Sequence, residues 1–307
     1  MTAHTSFAPA EAVPAADPEK RHRRVVMAIS ILGLALALGL ALYGADYYRL
    51  SLAERPFSPK HHLLKPGGVV GIDLGFLGVL LFCAIFVYPL RKKWGWLQRL
   101  GQSKHWLDFH VVLGIAAPVC IAFHSSFKFS GLAGIAFWVM MAVAISGLIG
   151  RYLYAQIPRR VVAGELSLKV FRELLQHQKM IRQSDLQPLF RFPAPDKVAD
   201  WPLVVVLFRM LASDFSRPFH IARLRVREME WKQVFTTLGG LLPGQNVQLE
   251  WVIGLARQQA VTSKRTLFLS RAEQIFRLWH VIHRPFSYAF AILALLHIVV
   301  AMMLGFI

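Results

Sequence analysis

HVVLGIAAPVCIAFH, at residues 110–124, begins and ends with a histidine and is otherwise almost entirely apolar. In an α-helix the offset of 14 residues between His110 and His124 turns the chain through about 1400°, roughly 40° short of four full turns, and advances it by about 21 Å. The two imidazoles would therefore project from one face of the helix. Since the hydrocarbon core of a bilayer is about 30 Å thick, a spanning helix would carry one histidine near each edge.

A second stretch, HRPFSYAFAILALLH at 283–297, repeats the arrangement, because His283 and His297 have the same spacing as the first pair. If both stretches span in the same direction, His110 lies at the depth of His283, and His124 at the depth of His297. Two facing neutral imidazoles suit axial ligation of a haem iron, and an iron closed by two nitrogen ligands favours electron transfer over oxygen chemistry. We therefore predict two haem sites stacked across the bilayer, with these four histidines as metal ligands.

Two other histidines compete for the same roles. Measured from His297, His280 falls about 100° short of five full turns, so it lies off the stripe and His283 is favoured. His105 is disfavoured against His110 in the same way. A simpler interpretation also stays open, because histidines in membrane helices can be hydrogen-bonding, interfacial or proton-relay residues without any cofactor.

The composition is that of a membrane protein. Charged residues make up only 17% of the 307 and hydrophobic residues 55%, whereas soluble domains are roughly a quarter charged. The net charge of +18 would suit nucleic-acid binding, but the basic residues flank apolar runs, as topology signals and lipid-binding segments do. With only two cysteines, Cys83 and Cys120, the chain alone can form neither a disulfide framework nor an iron–sulfur cluster.

Five apolar runs have the roughly 20 residues needed to cross a bilayer. They predict an all-α integral membrane protein, in which five transmembrane helices form a haem-binding bundle and a long, mainly helical cytoplasmic insertion separates helices 4 and 5. The predicted helices cover residues 25–46, 68–90, 106–127, 131–154 and 281–304. The predicted domains are a disordered cytoplasmic tail (1–24), transmembrane helices 1–4 (25–154), the basic insertion (155–278) and transmembrane helix 5 (279–307).

Basic residues predict the orientation. KRHRR at 20–24, RKKWGWLQRLGQSK at 91–104 and RYLYAQIPRR at 151–160 all fall on one side, which the positive-inside rule makes cytoplasmic. We therefore expect a protein of the bacterial inner membrane with its N-terminus in the cytoplasm and its C-terminus outside. The external connection between helices 1 and 2 opposes this assignment, because it carries Arg49, Arg55, Lys60 and Lys65.

The insertion is strongly basic. Residues 151–284 contain 21 basic and 10 acidic side chains, an excess of 11. WPLVVVLFRML at 201–211 is too short to span and fits a strand, a buried helix or an interfacial helix. We expect this region to bind a redox partner subunit or anionic membrane lipid through Arg223, Arg225 and Arg227, although the charge also fits a pure topology signal.

Small residues beside the histidines have a predicted supporting role. Gly114 and Ala117 follow His110 by one to two turns, where a small side chain leaves room for a porphyrin face. Gly147 and Gly150 do the same on the fourth helix, although small residues also serve plain helix packing.

Basic residues at the helix ends are predicted to pair with haem propionates. Arg151, Arg284 and Lys104 would do so on the cytoplasmic side and Lys128 on the outer side, where interfacial anchoring explains them equally well. Asp73, inside the second apolar run, is a candidate for proton handling or quinone contact.

Two further motifs carry a family resemblance: GRYLYAQIPRR at 150–160 and WHVIHRPF at 279–286. Together with the paired histidines they resemble bacterial membrane dihaem cytochromes b, and the histidine pairs are similar to those of the transmembrane domain of ferric reductases and NADPH oxidases. The resemblance covers the membrane helices, about half of the chain, and implies two b haems on the four histidines. The flavin and nicotinamide module of those oxidoreductases has no counterpart motif here, so electrons would enter from a partner or a quinone.

The sequence thus predicts a transmembrane dihaem b-type cytochrome that transfers electrons between a quinone or cytoplasmic redox partner and an acceptor such as a cytochrome on the outer side. It would be an electron-transfer subunit of an oxidoreductase complex, with no catalytic residue of its own and no nucleic-acid partner. The alternative is a non-redox transporter, or an assembly or anchor subunit, whose histidines are structural.

Overall fold

A computed structural model describes residues 18–157, 187–190, 192–227, 229 and 231–305 of the chain. All regular elements in these ranges are helical. The α-helices are α1 (Pro18–Tyr43), α2 (Ala45–Arg49), α3 (His61–Leu64), α4 (Val69–Arg91), α5 (Gly95–Gln98), α6 (Ser103–His124), α7 (Gly131–Gln156), α8 (Pro195–Asp200), α9 (Leu203–Arg227), α10 (Trp231–Thr236) and α11 (Val247–Met303), and short 3₁₀ turns lie at Arg55–Phe57 and Gln187–Phe190.

Five helical segments in the described part are long and apolar enough to cross a membrane: Glu19–Tyr43, His61–Arg91, Ser103–His124, Gly131–Gln156 and Val247–Met303. This confirms the predicted all-α class and the number of apolar helices. The chain divides into two compact units. The first runs to Gly147 and resumes at Pro285, and the second is Leu148–Arg284.

Helices α4 and α6 form the centre of the first unit, where they pack antiparallel along their lengths. The close approach depends on a stripe of glycines on α4, because a methyl group on Gly78 would overlap the end of the Ile121 side chain. The core beside this pair contains Ala117, Phe137 and Met140, and Phe290 of α11 packs against it.

The connection between α1 and α4 is tied to the loop after α6 by the Arg55 side chain. This guanidinium is buried, and it donates hydrogen bonds to the carbonyl oxygens of Ser126 at 2.6 Å and Tyr48 at 3.0 Å. Lys60 pairs with Asp46 at 2.8 Å. A buried charge must be paired or hydrogen-bonded, so these two cations have structural partners in the connection that was predicted to lie outside.

In the second unit, α9 runs antiparallel to the first part of α11. Two clusters of buried apolar residues join them, one at each end of α9: Val206 and Met210 with Leu153, Val198, Phe268, Ala272 and Ile275, and Ile221 and Leu224 with Leu189, Leu249, Ile253, Ala256 and Ala260. The apolar run at 201–211, for which the sequence allowed a strand, a buried helix or an interfacial helix, therefore leads into α9, a helix with one buried face.

Two helix starts lie far from the predicted ones. Helix α1 begins at Pro18, within the segment predicted to be a disordered tail, because proline suits the first turn of a helix and the charged residues after it are good helix formers. The predicted fifth transmembrane helix is the last part of α11, which has 57 residues. No proline interrupts α11 before Pro285. The helix therefore continues without a break from Val247 into the predicted transmembrane segment. Much of the predicted insertion, 158–186, lies outside the described residues.

Candidate haem-binding histidines

Both histidines of α6 are hydrogen-bonded to the backbone of α4. His110 Nδ1 lies 3.0 Å from the carbonyl oxygen of Ile85, and His124 Nδ1 lies 2.7 Å from that of Gly71. The two acceptors have the same spacing along α4 as the two histidines have along α6, so the antiparallel helices repeat one contact at two levels. A carbonyl oxygen can only accept, so Nδ1 carries the proton in each ring and Nε2 keeps its lone pair.

Gly75 provides the space for the His124 imidazole. A Cβ built on Gly75 would lie 2.9 Å from His124 Cε1 and 3.0 Å from His124 Nδ1. Any side chain at this position would therefore push the ring out of its present place. The ring is confined between this glycine and the Gly71 carbonyl, which fixes both its position and its tautomer.

His297, the predicted partner of His124, belongs to the same compact unit as His124. The role of these two histidines as ligands stays a prediction. Gly114, predicted to leave room for a porphyrin, faces open space: no atom of another described part of the chain lies within 4 Å of a Cβ built there.

His283 lies in the second unit, packed against an aromatic neighbour. Trp279 stacks on it with ring centroids 4.8 Å apart and meets His280 edge-on at 4.6 Å. His280 Nδ1 lies 3.1 Å from the Phe276 carbonyl oxygen of its own helix. The indole of Trp279 also occupies the space beside Gly150, so this glycine serves helix packing, as one of the two sequence interpretations proposed.

The basic residues predicted near propionates lie in varied surroundings. Arg284 and Lys128 are exposed and Arg151 is half-buried, whereas Lys104 forms an ion pair with Glu19. Asp73 is exposed on α4.

His105, the rival of His110, belongs to a polar cluster between α1 and α6. Its ring stacks on His22 at a centroid distance of 3.7 Å, and its Nε2 lies 3.4 Å from a Glu19 carboxylate oxygen. His22 in turn lies 3.2 Å from Asp108. These contacts explain the presence of His105 as a helix-pairing residue.

Sequence reasoning missed a buried polar cluster in the second unit. Lys264 is 1% exposed and forms an ion pair with Asp214, which also accepts a hydrogen bond from Tyr152 at 2.8 Å and pairs with Arg217 at 3.0 Å. Burial acts to raise the pKa of Asp214, but the hydrogen bonds from Lys264 and Tyr152 and the nearby positive charges outweigh it and lower that pKa. The spacing of Asp214 and Arg217 was visible in the sequence, but Lys264 is far away along the chain and gave no signal.

Arg225, predicted as a docking residue, is a structural one instead. It is 9% exposed, and its guanidinium donates to both carboxylate oxygens of Glu250, at 2.7 and 2.6 Å, and to the Gly240 carbonyl oxygen at 3.0 Å. The prediction failed because residues two positions apart fall on nearly opposite sides of a helix. Arg225 therefore lies on the buried side of RLRVR, opposite the two other arginines. Arg223 and Arg227 are exposed.

Among the described residues, no group of three or more His, Cys, Asp or Glu side chains is arranged to hold a metal ion.

No family model matches the chain, and neither a curated protein nor a solved structure matches it.

Proposed function

We propose that the chain is a transmembrane dihaem b-type cytochrome that carries electrons across a membrane. The observation behind the proposal is the repeated contact between α6 and α4. His110 and His124 each have an Nδ1–H held by a carbonyl oxygen, and the two acceptors on α4 repeat the spacing of the two histidines.

This contact fits axial ligation. Histidines that bind a metal through one ring nitrogen almost always donate the other N–H to a carbonyl, a carboxylate or a water, which fixes the tautomer and increases the basicity of the ligating nitrogen. His110 and His124 have this arrangement, and the space beside Gly114 suits a flat group next to α6.

In the proposal His110 pairs with His283, and His124 with His297. A bis-histidine b haem supplies one-electron chemistry, with no open iron position for substrate. The chain holds the imidazoles of His110 and His124 each by one hydrogen bond, and in the proposal Arg151 and Arg284 would pair with the propionates. His280 stays the alternative to His283.

The proposed partners follow from the rest of the chain. Electrons would enter from a quinone or a cytoplasmic redox subunit and leave to an outer cytochrome, in the bacterial inner membrane, with the N-terminus in the cytoplasm. Arg223 and Arg227, both exposed, replace the original triplet as the residues proposed to face a partner or anionic lipid.

The experiment is the haem content of the purified protein and of four single variants, His110→Ala, His124→Ala, His283→Ala and His297→Ala. Each variant is expected to lose one of two haems. His62→Ala, at an exposed position, is the matched control and is expected to keep both. A wild-type protein without haem would favour the alternative of a non-redox membrane protein with structural histidines.

A further inference from the structure

The acceptor of the His110 hydrogen bond has an unusual place in its helix. Ile85 lies four residues before Pro89, which is inside α4. In a regular α-helix the N–H of residue 89 would donate to the carbonyl of residue 85, but proline has no N–H. The carbonyl oxygen of Ile85 thus lacks its regular intrahelical donor and accepts from His110 Nδ1 instead, at 3.0 Å.

The acceptor of His124 is different. Gly71 lies four residues before Gly75, which has a normal N–H, and Gly75 is the residue whose missing side chain makes room for the His124 ring. One imidazole is therefore held by a carbonyl that a proline leaves free, and the other by a carbonyl that has a regular helical partner.

The surroundings of Pro89 point in the same direction. The ring of Tyr88, the residue before it, lies 5.1 Å from the His110 ring, centroid to centroid. The last turns of α4 thus contact His110 through both a backbone acceptor and an aromatic side chain.

We propose that Pro89 is a positioning residue that frees the Ile85 carbonyl for His110 and thereby fixes the His110 ring with Nε2 as its electron-pair donor. The further consequence for redox behaviour rests on the proposed haem function. A stronger Nδ1–H hydrogen bond makes the ligand more basic, and a more basic ligand stabilises ferric iron. Pro89 would then lower the reduction potential of the haem bound by His110 without affecting the haem bound by His124.

The test is Pro89→Ala in the full-length protein, because alanine restores the N–H that competes for the Ile85 carbonyl. We expect two haems to be retained, one of two midpoint potentials to rise and the other to stay in place, with a changed electron paramagnetic resonance signal for the shifted haem only. Pro118→Ala, which removes the proline inside α6, controls for loss of a helix proline as such and is expected not to reproduce the selective rise. Two unchanged potentials in Pro89→Ala, or two that move together, would overturn the proposal.

A second measurement does not depend on haem. Nitrogen-15 NMR of the histidine rings in the wild-type chain should show His110 protonated at Nδ1 and hydrogen-bonded there, and Pro89→Ala should shift the Nδ1 resonance toward that of a weaker hydrogen bond. A wild-type His110 protonated at Nε2 would overturn the role of Pro89 even if the variant does not fold. Absence of haem together with the Nδ1–H tautomer would reject the proposed function and leave the positioning role intact.

Discussion

Replacing Gly75 by alanine should displace the His124 imidazole and leave the His110 imidazole in place. The added Cβ would lie 2.9 Å from His124 Cε1, whereas carbon atoms in contact are separated by about 3.5–4.0 Å. The ring must therefore move by roughly 0.6 Å or more, away from α4 and from the Gly71 carbonyl that it contacts at 2.7 Å. Overpacking of this kind costs about 1–3 kcal/mol. The imidazole changes its orientation in response, because a helix backbone moves less easily than a side chain.

The assay is the haem-to-protein ratio and the redox titration of Gly75→Ala and Gly75→Val beside the wild type. We expect the haem bound by His124 to be weakened by alanine and lost with valine, while the haem bound by His110 is kept. Gly78→Ala is the matched control on the same helix face, because its methyl group meets the flexible end of Ile121 instead of a histidine. If Gly75→Val retains both haems with unchanged potentials, the claim that this glycine positions a ligand is refuted.

Four other predictions concern the open space and the buried charges. Gly114→Ala adds a methyl group where the described chain leaves open space, so a loss of haem with unchanged thermal stability would show that the space belongs to a cofactor, and no loss would contradict this. Arg225→Ala should lower the free energy of unfolding by about 2–3 kcal/mol through loss of charged hydrogen bonds, whereas the exposed Arg223→Ala should change it by less than about 0.5 kcal/mol; equal effects in thermal unfolding would contradict the structural role. Lys264→Ala should lower the free energy of unfolding by about 2–3 kcal/mol, because Asp214 loses one of its two cationic partners and keeps Arg217, and Lys264→Met, which keeps the bulk but removes the charge, should retain most of that loss in the same assay. Because the folded pKa of Asp214 is lowered, the stability from its ion pair is fully present above about pH 4 and is lost as the pH falls through the folded pKa. The melting temperatures of wild type and Asp214→Asn should therefore converge in acid, and a constant gap would count against the pair.

The apolar helices were predictable because membrane helices are defined by length and composition. Each of the five predicted helices overlaps one of the segments that are long and apolar enough to span. Their ends were less predictable. Helix α11 begins at Val247, far ahead of the apolar run at 281–304. Polar and charged residues are also good helix formers, and no proline intervenes before Pro285.

Spacing along one helix predicted which histidines share a face, but not what holds them. The spacing of His110 and His124 predicted that both lie on one face of their helix. Their hydrogen-bond acceptors, the carbonyl oxygens of Ile85 and Gly71, depend on the register between α4 and α6. Pro89 was visible as a proline near the end of an apolar run. Its place four residues after a histidine acceptor becomes evident only when the two helices are seen together.

Buried charges were the least predictable feature. The sequence predicts a surface position for Arg225 because arginine is rarely buried unless paired, and its partner Glu250 is 25 residues away. Lys264 and its partner Asp214 are likewise far apart along the chain, by 50 residues. Long-range ion pairs leave no pattern in a single sequence, so only the packing of α9 on α11 reveals them.

The most direct test of the account is the haem stoichiometry of the purified full-length protein, measured as the pyridine haemochrome against protein mass by amino-acid analysis. The account predicts two b haems per chain, with low-spin bis-histidine spectra, and one haem for His110→Ala and for His124→Ala. A wild-type ratio of zero, or a wild-type ratio of one that neither substitution changes, would contradict it.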